Sequence, residues 1–120
     1  MASRLVDFYH YTDESSAQEI QRTGHIWPSQ ASGPDAVLGT GVYGTKVPPH
    51  AGKGQIARNN WDGTGNWHAR RAGGSVDYVF HLRIPLNNLR EVKTHNGRQM
   101  YLHRNPIRLA DYDYNIIEVP

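Results

Sequence analysis

A stretch of strict alternation limits the fold of this chain more than any other feature of its sequence. From Val76 to Ile84 every second residue is apolar, and the residues between them are mostly polar. A period of two is typical of a β-strand with one buried face, and Pro85 ends the stretch because proline cannot donate to a strand ladder. The chain must therefore form a sheet that other elements cover.

Six further segments are predicted to be extended because they are short and rich in β-branched or aromatic residues. They span residues 5–11, 25–27, 42–43, 92–93, 99–102 and 114–119. Between two of them stands Asn96-Gly97, a dipeptide with strong preference for two-residue hairpin turns. Because the connections between strands are mostly short, the sheet should be mainly antiparallel.

One helix is predicted over residues 14–23. Thr12 or Asp13 can cap its first turn, and Gly24 suits the left-handed position that ends a helix. The predicted fold is a single α+β domain over residues 1–120, with a mainly antiparallel sheet and one N-terminal helix.

The composition excludes several classes of protein. Hydrophobic residues make up 38% and charged residues 20%, which suits a folded chain rather than a disordered one. Without cysteine, the chain has no disulfide, no thiolate metal site and no cysteine nucleophile. No signal peptide and no membrane-spanning run is recognisable. We therefore expect a cytoplasmic protein with no membrane partner, or a toxin delivered by a route that needs no signal peptide.

Positive charge is concentrated late in the chain. Residues 83–108 contain six arginines and lysines, namely Arg83, Arg90, Lys93, Arg98, Arg104 and Arg108, against Glu91. Such a segment can contact the phosphates of a dinucleotide or of nucleic acid, or simply form a solvated face.

Three short motifs suggest a more specific function. Tyr9-His10-Tyr11-Thr12 ends the first strand and leads directly into the helix. The segment 39–45, Gly-Thr-Gly-Val-Tyr-Gly-Thr, places a tyrosine, Tyr43, on a strand after two glycines. An acidic residue, Asp113, stands just before the last strand.

This order of motifs resembles the diphtheria-toxin-like branch of the ADP-ribosyltransferases, which includes the poly(ADP-ribose) polymerases. It is most similar to the toxin-type subfamily named for a His-Tyr-Asp signature, through Tyr9 to Asp13, Gly41-Val42-Tyr43 and Pro48-Pro49. The likeness is clearest over residues 8–49, extends to the strand at 76–85 and weakens after it. It implies a split sheet, NAD⁺ as substrate, and transfer of ADP-ribose to a protein, a nucleic acid or water.

The resemblance also implies roles for the matching residues. His10 would bind a ribose hydroxyl of the adenosine half, and backbone groups after it, at Tyr11 and Thr12, would bind the nicotinamide carboxamide. Tyr43 would stack on the nicotinamide ring. We therefore expect His10 and Tyr43 to meet in one cleft on one face of the sheet.

Two further residues of the second motif receive roles from the same resemblance. Gly41 would keep the turn flat enough for the nicotinamide ring to approach. Thr45, like Thr12, could contribute a hydroxyl. With Tyr11, these residues complete the predicted NAD⁺-binding set, and no metal is expected.

The third catalytic residue is expected to be a carboxylate. Breaking the nicotinamide–ribose bond leaves positive charge on the ribose, which fixed negative charge nearby stabilises. Asp113 is the predicted residue because of its position before the last strand, while Asp111 and Glu118 remain alternatives. His10, Tyr43 and Asp113 thus form the predicted catalytic set.

Other functions compete with this hypothesis. A catalytically inactive reader of NAD⁺ or ADP-ribose would share most of the site, and an NAD⁺ glycohydrolase would share all of it. A small basic RNA-binding protein or ribonuclease would use the arginines, with an acid and a base drawn from His68, His81, His95 and His103. A metal hydrolase is disfavoured because no histidine pair has metal-ligand spacing with a carboxylate.

Overall fold

The computed structural model describes residues 4–28, 41–54, 56, 76–93 and 99–120. Within these residues the chain forms a six-stranded antiparallel sheet, one α-helix and a second sheet of two short strands. The predicted α+β class, the mainly antiparallel sheet and the N-terminal helix are confirmed.

The elements follow the chain in a simple order. The main sheet contains β1 (Leu5–Thr12), β3 (Val42–Thr45), β4 (Tyr78–Pro85), β5 (Arg90–Lys93), β6 (Gln99–His103) and β8 (Tyr114–Glu118), in the spatial order β5-β6-β3-β1-β4-β8. The small sheet pairs β2 (His25–Ile26) with β7 (Ile107–Arg108), and the helix is α1 (Glu14–Thr23). Single turns of 3-10 helix lie at Pro49–Ala51, Leu86–Asn88 and Leu109–Asp111.

Helix α1 begins and ends where its capping residues predict. The side chain of Asp13 accepts a hydrogen bond from the Ser16 N–H at 2.7 Å, and Gly24 adopts the left-handed conformation with φ of 72°. The Gly24 N–H then donates to the Ile20 carbonyl at 2.8 Å. Strand β7 was not predicted from the sequence.

The main sheet is covered on both faces. On the face that we call the helix face, side chains of β1 and β4 pack with Ala17 and Ile20 of α1; they include Phe8, Phe80, Leu82 and Ile84. On the opposite face, Tyr11, Val79 and Val119 pack with Ile56 and Val76. Strand β4 therefore contributes side chains to two separate clusters. Phe80, Leu82 and Ile84 enter the larger one, and Val79 enters the smaller one.

Gly44 of β3 lets the helix face close tightly. A Cβ atom on Gly44 would point into the ring of Phe8, which is completely buried beside it. Since Phe8 lies in the neighbouring strand, this contact holds β3 against β1. Any side chain at position 44 would force the ring, and the core around it, to move.

We predict that Gly44→Ala lowers the free energy of unfolding by about 1–3 kcal/mol, the usual cost of overpacking a core. Gly54→Ala is the matched control, because a Cβ atom there has no neighbour within 4 Å. Chemical denaturation of both variants measures the difference. Equal stability of Gly44→Ala and the wild-type chain would contradict the packing described.

The main sheet is joined only narrowly at its centre. Strand β1 pairs with β4 along its whole length, from Leu5 with Pro85 to Thr12 with Tyr78. Between β1 and β3, the register joins Tyr9 with Thr45 alone. Beyond that pair, no residue of β1 is paired with a residue of β3. We call this unpaired stretch, which lies between residues 11–12 of β1 and residues 41–43 at the start of β3, the seam. The seam divides the main sheet into one half with β5, β6 and β3 and another with β1, β4 and β8.

Candidate functional site

The seam has a backbone donor and a backbone acceptor on its β1 side. On the β4 side of β1, the Arg4 carbonyl accepts from the Leu86 N–H at 2.9 Å. Backbone groups of a strand alternate in direction, so Tyr9 and Tyr11 direct theirs towards β3. Tyr9 meets Thr45 there, whereas Tyr11 has no register partner in β3. The N–H and C=O of Tyr11 therefore face the seam.

His10 is held at the seam by a hydrogen bond to the opposite strand. Its Nδ1–H donates to the carbonyl oxygen of Tyr43 at 2.8 Å. A carbonyl can only accept, so the neutral ring carries its proton on Nδ1 and leaves Nε2 as an acceptor. Burial lowers the pKa of His10 below its ordinary value of 6.5, and the bond to Tyr43 only partly opposes that effect. His10 is therefore neutral at pH 7.

The side chains of His10 and Tyr43 leave the sheet on opposite faces. Val42 belongs to the cluster on the helix face, and the Cβ direction of Gly44 points to Phe8 on that face. Alternation places the Tyr43 ring on the other face, while His10 follows Phe8 onto the helix face. The two residues do meet, but through a ring and a carbonyl. The expectation of one cleft on one face is therefore wrong, and a ligand that touches both side chains must pass through the seam.

The other residues of the first motif have structural partners. The hydroxyl of Tyr11 donates to the Val47 carbonyl at 2.6 Å, and burial raises the pKa of Tyr11, so this hydroxyl keeps its proton. Thr12 is buried at the end of β1. The side chain of Tyr11 therefore anchors the segment after β3, and only its backbone is available to the seam.

Thr45 and Gly41 also have local structural reasons for their identity. Thr45 is completely buried, and its Oγ1 accepts a hydrogen bond from the Val47 N–H at 3.2 Å. A Cβ atom on Gly41 would lie 2.7 Å from the carbonyl oxygen of His103 in β6. Gly41 thus permits close approach of β6, and it lies at the entrance to the seam.

The structure does not bring Asp113 to His10. The Asp113 carbonyl accepts from the Arg83 N–H at 3.1 Å, and Arg83 pairs with Asp7 near the start of β1. By strand spacing, Asp113 lies about 19 Å from Thr12, at the end of β1 that borders the seam and that we call its seam end. Alternation also directs its side chain to the face opposite His10. Asp111 is exposed in the turn before β8.

Glu118 lies at the seam end of the sheet. It pairs with Tyr78, which pairs with Thr12, so it is about 10 Å from the end of β1. The negative charge of Glu14, then burial, then the charge of Glu118 raise the pKa of Tyr78. Glu118 shares a face with Tyr78, and therefore with His10.

One polar cluster was not predicted from the sequence. The Nε2–H of His81 donates to Asp7 Oδ1 at 2.8 Å, and the Tyr9 ring stacks on His81 with centroids 4.4 Å apart. Burial, followed by the charge of Asp7, raises the pKa of Tyr9, which nearby Arg83 partly opposes. The cluster depends on the register of β1 with β4, which the sequence does not reveal.

Of the four candidate histidines of a ribonuclease, the structure describes two, His81 and His103, and these two do not form a catalytic pair. His81 and His103 lie three strands apart and three residues out of level, about 17 Å in all, and on opposite faces of the sheet. His68 and His95 lie outside the described residues. In the part of the chain that the structure describes, no three potential ligands gather to hold a metal ion. No helix in that part is long and apolar enough to cross a membrane.

Comparison of the chain with models of known protein families finds no match. Comparison with curated proteins and with solved structures finds none either.

We predict that the ring of His10 titrates with a midpoint below 6.5 and that its neutral form carries the proton on Nδ1. The unfolded chain then binds this proton more readily, so His10 stabilises the fold above pH 6.5 and destabilises it as the pH falls towards the folded pKa. Nitrogen-15 NMR of the ring measures both properties. A midpoint at or above 6.5, or a proton on Nε2, would contradict the environment described.

Proposed function

We propose that the chain binds NAD⁺ in the seam and acts as a mono-ADP-ribosyltransferase. The observation that carries the proposal is a set of three polar atoms at one place. The N–H and C=O of Tyr11 face the seam, and the neighbouring His10 ring is held by Tyr43 with Nε2 as an acceptor.

The carboxamide of nicotinamide suits the backbone of Tyr11. A primary amide offers one acceptor and two donors on adjacent atoms, as a strand residue offers one donor and one acceptor. Two hydrogen bonds to Tyr11 would orient the ring much as another strand would. Residues 10 and 11 are rigid because β1 is paired with β4 along its whole length, and such positioning lowers the barrier of the reaction.

His10 and Tyr43 would hold the rest of the dinucleotide. The Nε2 atom of a neutral His10 accepts a hydrogen bond from a ribose hydroxyl, which a protonated ring could not do. The Tyr43 ring leaves β3 on the other face of the seam, where it can stack on a planar ring inserted between the strands.

The register favours Glu118 as the carboxylate of the site. NAD⁺ supplies a glycosidic bond whose cleavage leaves positive charge on the ribose. Glu118 lies at the seam end and on the His10 face, whereas Asp113 meets neither condition. The fixed negative charge of Glu118 would stabilise the positive charge that develops on the ribose.

The position of Asp113 supports a second candidate, a reader that binds NAD⁺ or ADP-ribose without cleaving it. If no carboxylate reaches the ribose, the seam still offers the contacts for nicotinamide and the hydroxyl. The transferase and an NAD⁺ glycohydrolase differ only in whether an acceptor or water enters the site.

We predict that the wild-type chain releases nicotinamide from NAD⁺ and that Glu118→Gln slows release by about 10²–10³-fold, the effect of one lost electrostatic contact. The change keeps the shape of the side chain and removes its charge, so kcat should fall more than KM rises. Chromatographic measurement of free nicotinamide provides the rate, with candidate protein, nucleic-acid and water acceptors tested in parallel.

Asp113→Asn and Asp111→Asn are the matched controls and should change the rate less than twofold. If Asp113→Asn alone stopped the release of nicotinamide, Asp113 and not Glu118 would be the catalytic carboxylate. Binding of NAD⁺ by the wild-type chain without any release would establish the reader instead, and absence of binding would refute the proposal.

A further inference from the structure

A basic cavity lies at the edge of the main sheet, separate from the Tyr11 wall of the seam. It has a volume of about 670 Å³ and is lined by Arg90, Arg104 and Arg108, with Asp111 as its acidic residue. All three arginines are exposed, and none forms an ion pair with a described residue. Three cations against one carboxylate leave the cavity with a net positive charge.

A buried histidine forms part of the wall of this cavity. His103 is only 8% exposed, and its Nδ1–H donates to the Asn105 carbonyl at 2.7 Å. The hydroxyl of Tyr112 lies 3.5 Å from Nε2 and accepts from the Asn88 amide at 3.2 Å. These bonds connect His103 with Asn105, Tyr112 and Asn88. Asn105 and Tyr112 come from separate loops, so the wall is preorganised.

An exposed aromatic stack stands beside the cavity. Trp27 is 55% exposed, and its ring stacks on His25 with centroids 4.9 Å apart and an angle of 14° between the planes. His25 pairs with Arg108 across the small sheet, so the two side chains leave on the same face. Ile26 and Ile107, which alternate with them, are buried. Arg108 therefore connects the stack with the cavity.

We propose that the cavity and the His25–Trp27 stack form a binding surface for single-stranded nucleic acid. The three arginines have no carboxylate partner among the residues that the structure describes, so they are available to phosphates, and the exposed indole face is available to a base. A duplex covers the faces of its bases and cannot use Trp27 in this way. The charge and the aromatic face together favour a single strand over an acidic protein, which would need the arginines alone.

This inference does not depend on the seam. If both proposals hold, the strand bound here is a candidate acceptor for ADP-ribose. If the chain does not bind NAD⁺, the surface retains its function, so the two proposals fail independently.

Fluorescence anisotropy with a labelled 12-nucleotide oligothymidylate tests the proposal on the intact chain. The wild type should bind it, and the logarithm of the association constant should fall with the logarithm of salt concentration with a slope of about −2, for three phosphate contacts. Replacing the three arginines by glutamine together should weaken binding at least tenfold and flatten the slope. Trp27→Ala should weaken it about 5- to 100-fold, as loss of one stacked base does.

Arg4→Gln and Tyr114→Ala are matched controls, because Arg4 is exposed and Tyr114 is an exposed aromatic residue on the far edge strand, 42% accessible. Each should change affinity less than twofold. Circular dichroism checks that every variant is folded, and the salt slope of the wild type tests the arginines even if the triple variant is not.

The proposal would be overturned by no binding by the wild type, by an equal effect of Trp27→Ala and Tyr114→Ala, by a 12-base-pair duplex bound as tightly as the single strand, or by displacement of the oligonucleotide by polyglutamate at equal charge. Adenosine monophosphate that binds as tightly as the oligonucleotide would identify a site for a free nucleotide, and would also refute it.

Discussion

The hydrogen bond from His10 to the Tyr43 carbonyl organises the centre of this fold. Between β1 and β3 the register provides one residue pair, and the imidazole ring bridges the strands just beyond it. The His10 side chain thus donates to the Tyr43 carbonyl, which would otherwise accept from the backbone of the neighbouring strand. Because the ring fills that position, Tyr11 has no register partner in β3, and its backbone is directed at the seam. The same bond sets the tautomer that makes Nε2 an acceptor. One contact thus bridges the two strands at the seam and determines which hydrogen bonds the His10 ring can form there.

The two halves of the sheet are held together by packing where hydrogen bonds are few. On the helix face, Gly44 lets β3 approach the buried ring of Phe8, and on the other face Tyr11 reaches across to the Val47 carbonyl. These contacts lie on either side of the seam. They hold β1 against β3 although only Tyr9 and Thr45 are paired. A flat ring such as nicotinamide suits the space between two strands that are not paired. This shape adds to the support for our proposal, which rests on the polar atoms of Tyr11 and His10.

Local patterns predicted much of the fold, and register explains what they did not predict. The limits of α1 follow from Asp13 and Gly24, and the alternation before Pro85 identified β4, because both signals involve residues close in sequence. The face of the Tyr43 ring, the pairing of Asp7 with His81 and the level of Asp113 in the sheet all depend on how distant strands align. A shift of one residue in that alignment would reverse each of them. For this reason the first motif could be located from the sequence, while the face of the Tyr43 ring and the place of Asp113 in the sheet could not.

The central claim is that nicotinamide binds in the seam through the backbone of Tyr11. The most direct measurement is titration of nitrogen-15-labelled chain with nicotinamide and with NAD⁺, followed by two-dimensional NMR of the backbone amides. The account predicts that the largest shifts occur at Tyr11, Thr12 and Tyr43, and that β8 near Asp113 changes little. Shifts confined to the basic cavity around Arg104, or no shift at millimolar ligand, would contradict it.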